Sequence, residues 1–210
     1  LHGPLVIHAG AGSGKTRTIT HRIAHGVSTG AFDPTATLAV TFTSRAAGEL
    51  RTRLAGLGCS GVQVRTFHSA ALRQLRFFYQ RIFKKEFPHL ITSKSEAITV
   101  AASRCGVQLS RDEVRDVAAE IEWAKVNQIS PVDLLNSGRQ PRGKVDLGDI
   151  AKVYDAYETL KKQERVIDFE DLLLLTTAML ENEPEVREKV HEQYRYFTID
   201  EYQDISPLQQ

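Results

Sequence analysis

The alternation of apolar and polar positions changes character twice along the chain. Leu5-Val6-Ile7 is a short apolar run ending at small residues, the pattern of a buried parallel strand. Ile19, Ile23 and Val27 then recur every four residues, one face of a helix that ends near Gly30. Leu38 to Phe42 reads as the next strand, and Ser44 stands where a cap is needed for a helix carrying Ala46, Ala47, Leu50 and Leu54 on one side. Val62 to Phe67 alternates as a third strand. Strand, helix, strand, helix, strand predicts an α/β fold with a doubly wound parallel sheet.

From about Ala70 to Leu180 no strand pattern stands out, and helix starts recur. Ser93 with Glu96 and Ser110 with Glu113 have capping-box spacing, and Ser130-Pro131 puts proline at a first helical position. Ile150, Val153, Tyr154, Tyr157 and Leu160 keep helical spacing. Asp168 can cap a helix holding Leu172 to Leu175, with Pro184 just past its end, and Asn136 to Lys144 reads as an exposed loop. Tyr196 to Asp200 returns to strand character. The expected organisation is an α/β domain, residues 1–72 with 182–210, into which an all-helical subdomain, residues 73–181, is inserted.

Composition narrows this little. The 210 residues are 41% hydrophobic and 25% charged, as in ordinary globular proteins. No apolar run approaches the roughly 20 residues that cross a bilayer, and no signal-peptide layout opens the chain. Cys59 and Cys105 are the only cysteines, too few for a zinc site or a disulfide framework, so a cytoplasmic setting is expected. Net charge is +1, which announces no nucleic acid, but Arg73, Arg76, Arg81, Lys84 and Lys85 precede any acid until Glu86.

Chemistry enters at two places. Ala9-Gly10-Ala11-Gly12-Ser13-Gly14-Lys15-Thr16 lies between a predicted strand and a predicted helix, where a phosphate-binding loop must lie. Glycines let backbone N–H groups converge on phosphates, and the helix N-terminus adds positive potential. Lys15 can reach the β- and γ-phosphates of a bound nucleotide, and Thr16 can ligate Mg²⁺. Ala9 stands where the strict pattern has glycine. Asp200-Glu201-Tyr202-Gln203-Asp204 follows the last predicted strand. There Asp200 can hold Mg²⁺ and Glu201 can take the proton of an attacking water.

Taken together, these segments resemble superfamily-one DNA helicases of the UvrD/Rep/PcrA group. Residues 9–17 resemble motif I, Ala39 to Ala47 motif Ia, Thr66-Phe67-His68-Ser69 motif Ib, and Asp200 to Asp204 motif II, with Asp168 to Leu173 between them in family order. Arg65 and Ser44 depart from the residues common there, Gly and Asn. The resemblance implies a RecA-like P-loop NTPase sheet and ATP-driven 3′ to 5′ movement on single-stranded DNA, in repair or replication restart. It implies that Thr41, Phe42, Thr66 and His68 line the DNA track, that Arg17 packs near the adenine, and that Gln203 senses the γ-phosphate. It also implies a partner, a second RecA-like domain beyond Gln210 that carries arginine fingers. Without that domain, negligible hydrolysis and no unwinding are expected.

Blander readings stand beside these. Phe42 can be a strand-end core aromatic rather than a stacking platform, and His68 a structural histidine. The stretch Arg73 to Phe87 can bind DNA, or its Leu75, Phe78, Tyr79, Ile82 and Phe83 can be a buried helical stripe with solvated cations opposite. Trp123 reads as helical core. A P-loop enzyme of another class is the alternative, but a GTPase would carry Asn-Lys-x-Asp, which does not occur. A small-molecule kinase has no use for a water-activating Glu201. A nucleic-acid-binding module without activity would not need Lys15, Thr16, Asp200 and Glu201 together.

Overall fold

The computed structural model describes residues 3–10, 12–91 and 93–210. The chain divides into two compact units, Leu1–Gln74 with Ala178–Ile205, and Leu75–Thr177 with Ser206–Gln210.

The elements, in chain order, are α1 (Lys15–Ser28), β1 (Thr37–Thr41), α2 (Ser44–Gly56), β2 (Gln63–Thr66) and α3 (Phe67–Phe83). Then follow β3 (His89–Leu90), α4 (Lys94–Arg104), α5 (Arg111–Val126), α6 (Leu147–Glu164), β4 (Val166–Ile167), α7 (Phe169–Asn182), α8 (Pro184–Gln193) and β5 (Tyr196–Ile199).

In the first unit β2, β1 and β5 form a parallel sheet in that order. β1 is the central strand, and all five of its residues are buried, as a strand paired on both edges and covered on both faces should be. Leu38 pairs with Gln63 and Phe197, and Thr41 with Thr66, so the three carboxyl ends finish side by side. The predicted apolar stripes do the packing: Ile19 and Ile23 of α1 and Ala47, Leu50 and Leu54 of α2 close over Ala39 and Val64. Gly26 is required by contact, since a Cβ there would lie 2.2 Å from the Phe32 ring.

Two expectations for this unit are corrected. Leu5-Val6-Ile7 is not a buried strand: the segment has no regular structure, and Leu5 is 60% exposed. Among the described residues the outer edges of β2 and β5 pair with no further strand. Three apolar residues are at the lower limit of strand length, and Pro4 offers no N–H at the start of the run. The cap of α2 is Thr43, whose hydroxyl accepts the Ala46 N–H at 3.1 Å; Ser44 is the first helical residue.

The second unit is built around one apolar cluster of α4, α5 and α6. Ile98, Val117, Ile121, Ala124, Ile150, Val153 and Tyr157 interlock, with Leu134 sealing one end. The Ser110–Glu113 capping box is made in full, whereas the Ser93 side chain makes no cap bond. Ser130-Pro131 opens a turn and a short 3-10 helix, Asp133–Asn136, not an α-helix. A two-residue parallel pair, β3 with β4, also lies where no strand was expected. The loop 136–144 is less exposed than its composition suggests. Arg139 makes two hydrogen bonds to Glu120, at 2.7 and 3.1 Å, and lies over the Trp123 ring at 4.3 Å.

Candidate functional site

The site forms at the carboxyl ends of the parallel strands, where open α/β sheets bind ligands. Gly14 caps α1 in a left-handed conformation (φ 93°), and Gly12 shares it (φ 74°), so the chain can turn tightly into the helix. Ser13 closes the turn by donating its N–H and its hydroxyl to the Gly10 carbonyl, at 3.3 and 2.7 Å. A Cβ added at Gly10, Gly12 or Gly14 would meet nothing within 4 Å, which leaves open space beside the helix N-terminus. Ala9 is half-buried and Arg17 exposed, while Ala11 lies outside the described residues.

Lys15 opens α1, and its Nζ reaches Glu201 Oε2 at 2.9 Å, bridging 186 positions of sequence. Gln203 Nε2 donates to the same oxygen at 2.6 Å. Asp200 is buried just past β5; its N–H donates to the Val40 carbonyl at 2.9 Å, which fixes it at the end of the sheet. Glu201 adopts the left-handed conformation (φ 54°) that a side chain seldom takes. That kink turns it away from the strand direction and toward Lys15.

The adjacent carboxylates are driven apart electrostatically. Burial, and then the neighbouring Glu201 charge, push Asp200 above its ordinary value. Hydrogen bonds from Gln203 and Lys15 hold Glu201 below its own. Divergent environments of this kind let two neighbouring acids take different roles. A lysine at a helix N-terminus, open glycine backbone, the Thr16 hydroxyl and a buried carboxylate together form a donor set that fits a nucleotide polyphosphate with a divalent cation.

Of the residues expected to line a DNA track, Thr41 and Thr66 are register partners and Phe42 and His68 follow them closely, so all four gather at two adjacent strand ends. Their surroundings differ. Thr41 is 1% exposed, and the Thr66 hydroxyl accepts the Ser69 N–H at 3.2 Å, a helix cap for α3. His68 is half-buried. Phe42 is 42% exposed, its ring set edge-on to Phe67 at 6.3 Å. It offers the largest aromatic surface of the four.

The sequence reading missed a buried charge cluster in the helical unit. Lys125 and Lys161 converge on Asp168, Asp171 and Glu158, with Lys125 Nζ 2.7 Å and Lys161 Nζ 2.9 Å from Asp168 Oδ2. Tyr157 donates to the same oxygen at 3.0 Å. A signal existed: Lys161 continues the stripe Ile150, Tyr154, Tyr157, so it occupies a core position.

A parallel α/β sheet with a glycine loop feeding a helix, faced by Asp-Glu at a strand end, defines a P-loop nucleotide-binding protein. The profile of the UvrD/REP helicase N-terminal domain matches residues 1–210, and the chain belongs to this family, whose sheet is RecA-like. It is 47% identical over 221 residues to the ATP-dependent DNA helicase UvrD2 of Mycobacterium tuberculosis, covering 99% of this chain and 32% of that protein. It is 35% identical over 213 residues to the ATP-dependent DNA helicase PcrA of Leuconostoc citreum, covering 99% of this chain and 28% of that protein. The PcrA of Staphylococcus aureus is 32% identical over 212 residues, with the same 99% and 28% coverage. The chain thus spans under a third of the length of these relatives. Among the described residues no helix is long and apolar enough to cross a membrane.

Proposed function

We propose that this chain is the ATP-binding motor part of a DNA helicase that moves 3′ to 5′ along single-stranded DNA, serving repair or replication restart. The observation that carries the reading is the Lys15–Glu201 contact beside buried Asp200, which joins the glycine loop to the strand-end carboxylates. On this reading Lys15 and the backbone of residues 9–16 hold the phosphates, and Arg17 flanks the adenine. Thr16 and Asp200 would hold Mg²⁺, which when bound neutralises phosphate charge. Glu201 orients and deprotonates the attacking water, and Gln203 responds to the γ-phosphate through its bond to Glu201. Thr41, Phe42, Thr66 and His68 form half of the DNA track. On this reading residues 1–72 with 182–210 are the motor domain and residues 73–181 the helical insertion.

A second RecA-like domain of the full-length protein supplies the cations that the transition state needs. An arginine finger is worth about 10³–10⁵ in rate, so this chain alone should turn over ATP far more slowly than a longer one. Steady-state ATPase with saturating single-stranded DNA tests this, on this chain and on a form extended through the second domain. Glu201→Gln in the extended form should bind nucleotide but lose turnover. Turnover near the parent level in that variant would remove Glu201 as the base; equal turnover in the short and long forms would remove the need for the second domain.

A further inference from the structure

The helix α3 separates what its sequence left mixed. Leu75 and Phe78 are fully buried, and Tyr79, Ile82 and Phe83 are partly buried, so the predicted stripe faces inward. Phe77 faces the other way and is 77% exposed. Its ring rests edge-on against Phe78, at 4.8 Å and 87°.

A single exposed aromatic calls for no explanation by itself. This one lies on a helix without an acid, in a stretch with no Asp or Glu between Glu49 and Glu86. Arg73 stands one turn before Phe77 and Lys84 two turns beyond, on its face, while Arg76, its chain neighbour, lies about 100° round the helix; all three are exposed. The Arg76 guanidinium sits 5.6 Å above the Phe87 ring, which braces that side chain. Lys84 and Lys85 are also explained by the helix C-terminus, where cations are favoured. Arg73, Arg76 and Phe77 are not, because they lie in the helix body.

We propose that the outer face of α3, centred on Phe77, is a second contact surface for single-stranded DNA, with the Phe77 ring stacked on an unpaired base and Arg73, Arg76 and Lys84 against flanking phosphates. A base face needs an accessible aromatic ring, phosphates need cations without competing acids, and α3 has both. The inference rests on the proposed DNA-handling role of the chain, and α3 begins directly after Thr66 of the proposed track.

The test is fluorescence anisotropy of a labelled oligothymidylate with this chain and its Phe77→Ala, Phe77→Trp, Arg76→Gln and Phe42→Ala variants. Circular dichroism of each variant checks the fold. Photocrosslinking to a 5-iododeoxyuridine oligonucleotide, mapped by mass spectrometry, identifies the residues touched. Phe77→Ala should weaken binding about five-fold or more, Phe77→Trp should restore it, and Phe77 should carry a crosslink. Arg76→Gln should weaken binding and flatten its salt dependence. If Phe42→Ala weakens binding while Phe77→Ala does not, the α3 surface is refuted and the strand-end track survives. If neither does and no crosslink forms, both fall. Equal loss on a blunt duplex and on single strands would overturn base stacking in favour of charge alone.

Discussion

Two lysine–carboxylate constellations lie in this chain, and they are built on opposite terms. At the sheet end a single cation, Lys15, meets Glu201, and both side chains are about a third exposed, at 28% and 36%. In the helical unit Lys125 and Lys161 are almost wholly buried among Asp168, Asp171 and Glu158, and every member is answered by another. The oxygens of those three acids lie within 4.8 Å of one another, a grouping that by itself can hold a metal ion. Two ammonium groups already bond to them, so the cluster is a closed clasp joining α5, α6 and the start of α7. Saturated and buried charge holds structure together; part-exposed charge with a single exchangeable partner can be redirected to a ligand.

The largest effect should come from opening the clasp. Asp168→Asn leaves two buried lysines short of a counter-charge, and breaking one partner of such a pair costs about 3–5 kcal/mol. Trp123, the only tryptophan, belongs to the same unit and reports its unfolding by fluorescence in urea. Lys15→Ala should instead cost at most about 1 kcal/mol of stability, because its ion pair is solvent-screened. Its effect belongs to binding: losing charged hydrogen bonds worth about 1.5–3 kcal/mol should weaken Mg·ATP binding roughly 10- to 150-fold by calorimetry. A Lys15→Ala protein that unfolds early but binds ATP normally would invert the comparison.

Acid should separate the two regions next. In the clasp, burial alone would raise Asp168, but Lys125 and Lys161 outweigh it and hold the carboxyl well below the ordinary range. A lowered carboxyl stabilises the fold above its unfolded value, about 3.9, and loses that contribution as pH falls through the folded one. The helical unit should therefore keep its Trp123 signal at mildly acid pH and unfold only below roughly pH 4. Asp200 has the opposite sign. It is raised by burial and by Glu201, so protons compete for it at a higher pH than for an ordinary Asp. Mg²⁺-dependent nucleotide affinity should fall on acidification while the fold is still intact. Parallel loss of both signals would erase the distinction.

Much of this was legible in the chain, for a physical reason. Local periodicity records burial directly, so α1, β1, α2 and α6 were readable from residues such as Ile23, Val40, Leu50 and Tyr157. The glycine loop and Asp200-Glu201 were readable because backbone geometry and metal chemistry restrict residue types at short range. What was hidden depends on partners far along the chain. Leu5-Val6-Ile7 has strand composition, but whether a run of three joins a sheet depends on a partner strand, and none pairs with it among the described residues. The burial of Lys125 had no local sign, because lysine is almost never fully buried unless paired, and the acids that pair it lie up to 46 positions away. Phe77 and Phe78 are adjacent and chemically identical, yet helical spacing already set Phe78 in the inward stripe and left Phe77 off it, as their burial bears out.

The smallest effect tests whether backbone strain follows the same division. Glu201 and Arg165 share the left-handed conformation, each at φ 54°. Arg165 has a local reason: it ends α6, and its N–H reaches the Lys161 and Lys162 carbonyls as a helix terminus requires. Glu201 follows a strand and ends no helix. Its conformation instead aims the side chain at Lys15 and Gln203, as expected where strain serves a site. Glycine relieves about 1–2 kcal/mol of left-handed strain but adds about 0.5–1 kcal/mol of unfolded-chain entropy. Arg165→Gly and Glu201→Gly should each then change stability by only about 0 to 1.5 kcal/mol, in the stabilising direction. They should part in function: Arg165→Gly should leave ATP turnover of the extended protein untouched, and Glu201→Gly should abolish it. Urea titration and an ATPase assay on both variants measure the two quantities. A clear loss of stability in Glu201→Gly alone would mean that its contact with Lys15 supports the fold, and that the part-exposed pair is structural after all.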